Sequence, residues 1–227
     1  MGHTGKNGST GTNNTRYSDV DSRSTPMSDA DIEQVLDIAP YFQSSNSFTI
    51  NKLLREMSDD ATLEEVFSGW QRRNLETVRV MDRNMLPLNK DINVARMAAE
   101  GYLQTIMRGA GFSNDEIRQA TFGNQEVIDR MNARLAGTTV YEKQFLSTSY
   151  NTNEFNGAFI NRPLKMNIVG KAGTHAMFNP NTDRDDNESE MVFARGTGHK
   201  LLKFYYANDQ LQVNTETVPQ TRVRKKR

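Results

Sequence analysis

The chain of 227 residues contains no cysteine. That excludes a disulfide framework, a thiolate metal site and a cysteine nucleophile, and it leaves the redox compartment open, since a cysteine-free chain survives in either. Histidine is scarce, at three residues. None sits with acidic residues at metal-ligand spacing, so no metal is expected, and His175 and His199 read as ordinary strand or loop residues. Charge of one sign is also missing: 28 Lys and Arg balance 28 Asp and Glu. No global field therefore draws the chain to nucleic acid or to a membrane surface. No apolar run is long enough to span a bilayer. The first 25 residues lack the apolar core of a signal peptide, so entry into another cell would need a route other than general secretion. Hydrophobic residues make up 36% of the chain and mean hydropathy is −0.72, polar for a globular protein.

A low-complexity start accounts for part of that polarity. Residues 1–27 are mostly Gly, Ser, Thr, Asn and Asp and read as a disordered tail. A domain is expected over residues 28–218, followed by a basic tail over residues 219–227. Ser28 followed by acids marks a helix start, with a stop near Ile38 before Pro40. Phe48 to Met57 is a second helix. A longer one begins near Thr62, with Leu63, Val66, Phe67, Trp70, Val78 and Met81 on one stripe; Trp70 and the methionines of the helices read as core. Ile92, Val94 and Arg96 alternate as a strand. Helices follow over Ala98 to Arg108, after the Ser113 cap, and over Asn124 to Leu135 before Gly137. Beyond Gly137 the periodicity switches to two. Strands are expected over Val140 to Ser149, Leu164 to Val169 and Glu190 to Ala194, then as a hairpin around Asn208-Asp209. Helices first and strands second define an α+β fold.

Three local signals carry chemistry. Phe145-Leu-Ser-Thr-Ser-Tyr150 puts three hydroxyls in a row at the end of an apolar strand. Glu188-Ser-Glu190 sets two carboxylates on one face of an extended backbone, between a polar loop and the apolar run Met191-Val-Phe-Ala194. Arg96 closes a short strand after Asp91-Ile-Asn-Val. Each signal alone is commonplace; their order and strand contexts together are informative. A guanidinium grips phosphate or ribose oxygens through its planar donor fork. A carboxylate beside a ribose stabilises an oxocarbenium-like carbon, and a second one orients or deprotonates an incoming nucleophile.

The order Arg, Ser-Thr-Ser, Glu-x-Glu resembles the arginine-serine-glutamate class of mono-ADP-ribosyltransferases, and within it the ADP-ribosylating exoenzyme family of toxins and phage enzymes. Leu86-Pro-Leu-Asn-Lys-Asp-Ile-Asn-Val-Ala-Arg96 resembles the segment leading to that family's NAD-binding arginine. Phe159-Ile-Asn-Arg162 is similar to its loop against nicotinamide and phosphate, and Glu188-Ser-Glu-Met-Val-Phe-Ala-Arg-Gly196 to its third motif. The resemblance implies two small, roughly perpendicular antiparallel sheets forming an NAD cleft, with helices beside it. It implies that Arg96 contacts the NAD phosphates, with Arg79 and Arg108 as alternatives. Ser147 and Thr148 would lie on the cofactor, Phe159 and Arg162 would line the nicotinamide and phosphate side, Glu190 would act on the ribose, and Glu188 would engage the acceptor. NAD is then a substrate and the partner a target protein, modified on an arginine; Phe178 would help recognise it. The site of action would be cytoplasmic, with the enzyme delivered into a host or carried by a virion. An NAD glycohydrolase, and an inactive binding or virion-associated protein of the same fold, are the other readings.

Overall fold

The computed structural model describes residues 28–42, 45–152, 161–178 and 190–219. The expected tail over residues 1–27, almost all of the basic tail, Phe159 and Glu188 lie outside the described residues. Seven α-helices are found among the described residues. They are α1 (Asp29–Phe42), α2 (Ser45–Glu56), α3 (Leu63–Val66), α4 (Arg72–Asn84), α5 (Glu100–Gly109), α6 (Asn114–Thr121) and α7 (Gln125–Leu135). Their starts follow local chemistry. Thr62 and Ser113 each accept from the backbone N–H three residues on, while Glu65 and Glu116 reach back to the cap N–H, closing a capping box on α3 and α6.

Two helical expectations change. α1 runs through Pro40 to Phe42; proline in the last turn removes one backbone hydrogen bond without breaking the helix. The long helix expected from Thr62 is interrupted. Gly69 takes a φ of +60°, which a glycine adopts freely and which no α-helix contains. The chain passes through a 3₁₀ turn, Gly69–Gln71, before α4 begins. The interruption rotates Trp70 off the apolar stripe, and it stands 86% exposed instead of in the core.

The strands are β1 (Leu86–Pro87), β2 (Ile92–Ala98), β3 (Thr139–Glu142), β4 (Leu146–Ser149), β5 (Leu164–Gly170), β6 (His175–Phe178), β7 (Glu190–Phe193), β8 (Thr197–Ala207) and β9 (Gln210–Val218). The α+β class holds. The ladder is continuous, in the order β1-β6-β7-β4-β2-β5-β9-β8-β3. It is mixed rather than wholly antiparallel, because β5 and β9 run parallel. One pair, Ala95 opposite Ser149, joins β2 to β4 and links the two halves of the sheet. The single strand expected from Val140 to Ser149 is two strands, with β3 at the sheet edge and β4 inside. The hairpin between β8 and β9 turns on Asn208 and Asp209, both at positive φ (52° and 55°), as a two-residue turn of this hand requires.

Two hydrophobic cores flank the sheet. In one, Leu103, Met107, Ile128 and Met131 of α5 and α7 pack on Leu146, Met166, Met191 and Phe193. In the other, Val35, Ile50, Leu54, Val78 and Met81 of the N-terminal helices pack on Phe145, Met177 and Val192. Each such side chain contributes roughly 1.5–3 kcal/mol when fully buried. A fork from Arg195 to Asp82 at 3.1 and 2.7 Å fastens α4 to the turn after β7.

Candidate active site

Strands β4 and β7 are clamped between the two cores. Phe145 and Val192 face the helical core, while Leu146, Met191 and Phe193 face the other. Ser147 and Glu190 lie on this clamped pair, so their backbones are held by packing. Ser149 is the register partner of Glu190. Side chains alternate along a strand, so Ser147 shares that face and sits diagonally from Glu190. The Ser147 hydroxyl donates to Glu190 Oε1 at 2.5 Å. An anionic acceptor makes such a bond short and about twice as strong as a neutral one.

Across the junction, Arg96 Nη1 donates to the backbone carbonyl of Ser147 at 2.6 Å. Arginine, serine and glutamate, distant in sequence, thus form one hydrogen-bonded chain. Among the described residues, Arg96 Nε is buried without a hydrogen-bond partner, so much of the donor fork is left unused there. Burial lowers the pKa of Arg96 from its ordinary value; the Glu142 carboxylate opposes this, and Arg162 and Arg55 add to the lowering. Its guanidinium stays charged regardless. Arg162 also has a pKa lowered by burial and donates from Nη1 to the Met97 carbonyl at 3.0 Å.

The remaining expected residues are distributed as follows. Thr148 points to the opposite side of β4, where its buried hydroxyl donates to the Met191 carbonyl at 2.7 Å; it fastens the β4–β7 ladder. Phe159 and Glu188 lie outside the described residues. Phe178 is fully buried in the core beside the ring of Tyr150 at 6.0 Å, which excludes it from a target-recognition surface. The alternative arginines are engaged elsewhere on exposed surface, Arg79 with Glu64 at 2.6 Å and Arg108 with Asn114 at 2.8 Å.

Arg55, Glu142, Gln144 and Tyr102 were not singled out by the sequence. Arg55, in the last turn of α2, donates to Gln144 Oε1. Gln144 Nε2 faces Glu142 Oε2 at 3.4 Å. Burial, and then Glu142, push the Tyr102 hydroxyl well above its usual pKa. Their signal is tertiary: each looks like an ordinary helix-end or strand-end polar residue. Among the described residues no group of His, Asp and Glu could hold a metal ion, and no helix is long and apolar enough to cross a membrane.

A strand-borne serine thus donates to a carboxylate in one chain of bonds with a half-buried arginine. The chain belongs to the ADP-ribosyltransferase exoenzyme family, which it matches over residues 13–222. Its fold is shared with C3stau2 from S. aureus, solved with NAD, at 18% identity over 90% of this chain and 92% of that one, with a TM-score of 0.66. The Clostridium limosum C3 exoenzyme is similar at 20% identity over 85% and 86%, with a TM-score of 0.62. Plx2a, an ADP-ribosyltransferase toxin from Paenibacillus larvae, is similar at 19% identity over 85% and 87%, with a TM-score of 0.59. A comparison with curated protein sequences finds no match. Family and fold together make the chain an ADP-ribosyltransferase of the exoenzyme type.

Proposed function

We propose that the chain is a mono-ADP-ribosyltransferase that cleaves NAD at Glu190 and passes ADP-ribose to an arginine side chain of a target protein, as a toxin or phage effector acting in a host cytoplasm. The observation that carries this reading is the Ser147 hydroxyl on Glu190 at 2.5 Å, in one chain of bonds with Arg96. The substrate is a dinucleotide with a diphosphate and a cationic nicotinamide. The guanidiniums of Arg96 and Arg162 suit the diphosphate.

The nicotinamide of NAD is a cationic leaving group, so the bond from its ring nitrogen to ribose C1′ breaks without a general acid, and the electron pair leaves with neutral nicotinamide. Positive charge then develops on the ribose. Glu190, held in place by Ser147, stabilises that oxocarbenium carbon and bonds the 2′-hydroxyl. The acceptor nitrogen forms the new bond to C1′ and gives its proton to Glu188. Glu188 lies outside the described residues; its part rests on the Glu-x-Glu spacing and on the family resemblance, in which a glutamate at that position goes with arginine acceptors.

The test uses biotin-labelled NAD, a host lysate, and the wild type beside Glu190→Ala and Glu188→Ala, following labelled protein and released nicotinamide together. Glu190→Ala is expected to abolish both. Glu188→Ala is expected to spare nicotinamide release while transfer falls. Hydroxylamine sensitivity of the labelled bond then identifies the acceptor as arginine. Nicotinamide release without any labelled protein would replace the transferase with an NAD glycohydrolase, and full activity of Glu190→Ala would overturn the role given to that residue.

A further inference from the structure

Ser147 stands on β4 and Glu190 on β7, and their hydrogen bond runs diagonally across the ladder, since Ser149 and not Ser147 is the register partner of Glu190. Any slide of one strand along the other therefore opens that bond directly. A misplacement of about 1 Å near a reacting centre can cost on the order of a hundredfold in rate.

Arg195 touches each element that would have to move. It lies just beyond the end of β7, which closes at Phe193. Its Nε and Nη2 donate to the two carboxylate oxygens of Asp82 on α4, at 3.1 and 2.7 Å. Its Cζ lies 5.9 Å from the centre of the Phe145 ring, within the range of a cation–π contact. Phe145 leads straight into β4, ahead of Leu146 and Ser147. The two strands are antiparallel and Leu146 pairs with Phe193, so Phe145 and Arg195 lie at the same end of the ladder. One guanidinium thus joins the helix to both strands that carry the serine and the carboxylate.

Packing leaves room at this point: a cavity of about 260 Å³ is lined by Asp82, Met85, His175, Ala194 and Arg195. The fork is what joins α4 to the strand end beside it. The two side chains are 25% and 32% exposed, and an ion pair so placed adds little stability by itself. What a bidentate fork adds is direction as well as distance, and a lysine cannot reproduce it.

We infer that Arg195 is a positioning residue for NAD cleavage: its fork on Asp82 and its contact with Phe145 lock the strand alignment that brings the Ser147 hydroxyl onto Glu190. It acts through those two residues and not on the substrate. The functional half of this inference rests on the NAD-cleaving reading above.

The test compares the full-length wild type with Arg195→Lys, which keeps the charge and loses the fork, with Ser147→Ala, and with the two changes combined. NMR of the Glu190 carboxyl carbon, in protein carrying isotope-labelled glutamate, reads the serine bond without NAD. Glu190→Gln assigns the signal, and Ser147→Ala marks its position when the bond is absent. Nicotinamide release, measured well below the melting temperature, gives kcat and KM, and thermal melts report the fold. In Arg195→Lys the carboxyl signal is expected to move toward its Ser147→Ala position. Its kcat should fall on the order of tenfold, part of the cost of a full misplacement, with KM for NAD little changed. Added to Ser147→Ala, the same substitution should cost less than about twofold more, because residues acting through one contact are not additive. A merely structural role would lower the melting temperature and leave kcat and the carboxyl signal alone; that result, or a full tenfold loss on top of Ser147→Ala, overturns the inference. Should Arg195→Lys fail to fold, Asp82→Asn keeps the shape and one acceptor for the guanidinium. It is expected to lower kcat about two- to fivefold, the size of one weakened polar contact, and to move the signal the same way; no change in either also refutes the inference. A wild type that does not cleave NAD would sink the proposed function, whereas the NMR comparison would still decide whether Arg195 holds Ser147 on Glu190.

Discussion

His199 makes the fold sensitive to acid well above the range where carboxylates titrate. It lies on β8 with no exposed surface, neither ring nitrogen has a hydrogen-bond partner among the described residues, and the Phe193 ring meets it edge-on at 5.8 Å. Burial, reinforced by the positive charge of Arg96, depresses its pKa to about 3. In the unfolded chain the same imidazole titrates near 6.5. Below that pH the unfolded chain binds a proton that the folded chain refuses. The stability present above pH 6.5 is therefore lost steadily as pH falls, until about pH 3, where the folded protein also takes the proton. By pH 5 the loss is about 2 kcal/mol, or roughly 4–8 °C in melting temperature for a domain of this size. The exposed carboxylates with lowered pKa, Asp59, Glu65, Asp91 and Glu116, weaken the fold only at lower pH, and between pH 6.5 and 5 the difference between wild type and His199→Leu isolates this histidine from the other two. His199→Leu loses no hydrogen bond and should be near neutral at pH 7. Urea unfolding of both proteins at pH 7, 6 and 5 should give a wild-type slope that the variant lacks. Equal wild-type stability at pH 7 and pH 5, or the same slope in His199→Leu, would refute the reasoning.

Other consequences lie closer to the chemistry and the turns. Ser147→Ala removes the hydroxyl that holds Glu190, a charge-assisted bond of about 1.5–3 kcal/mol; kcat/KM for nicotinamide release should fall about 10- to 100-fold, with an unchanged melting curve. Gly123→Ala should destabilise by at least about 1 kcal/mol in denaturant titration, because Gly123 sits at φ +81° and an added Cβ would lie 2.9 Å from the Tyr206 ring.

Much of this protein is written locally. The capping boxes at Thr62 and Ser113, the alternation of Leu164, Met166 and Ile168, and the Asn208-Asp209 turn are readable because each depends on neighbours within a few residues. The order of arginine, Ser-Thr-Ser and Glu-x-Glu is readable for a different reason: the chemistry needs those residue types on strand ends. The linear pattern also misled at identifiable places. The stripe through Trp70 assumed one unbroken helix, and Gly69 reset the phase. The run from Val140 to Ser149 looked like one strand because a sequence does not show that its halves pair with different neighbours. Phe178 looked like a flank of the polar loop, yet β6 turns it into the core.

What the sequence by itself determined was the class of fold and the residue types at the site. Propensity, capping and periodicity act over short range, and the motif residues carry their own chemistry. Only the tertiary structure decided that Arg96 anchors on the Ser147 carbonyl, that Thr148 faces away while Ser147 reaches Glu190, and that Glu142 and His199 are buried. Those facts depend on strand register and on the single junction between β2 and β4, where residues far apart in the chain meet. Hydrogen bonds and fields act over a few ångströms of space, and no pattern along the chain records which groups will come that close.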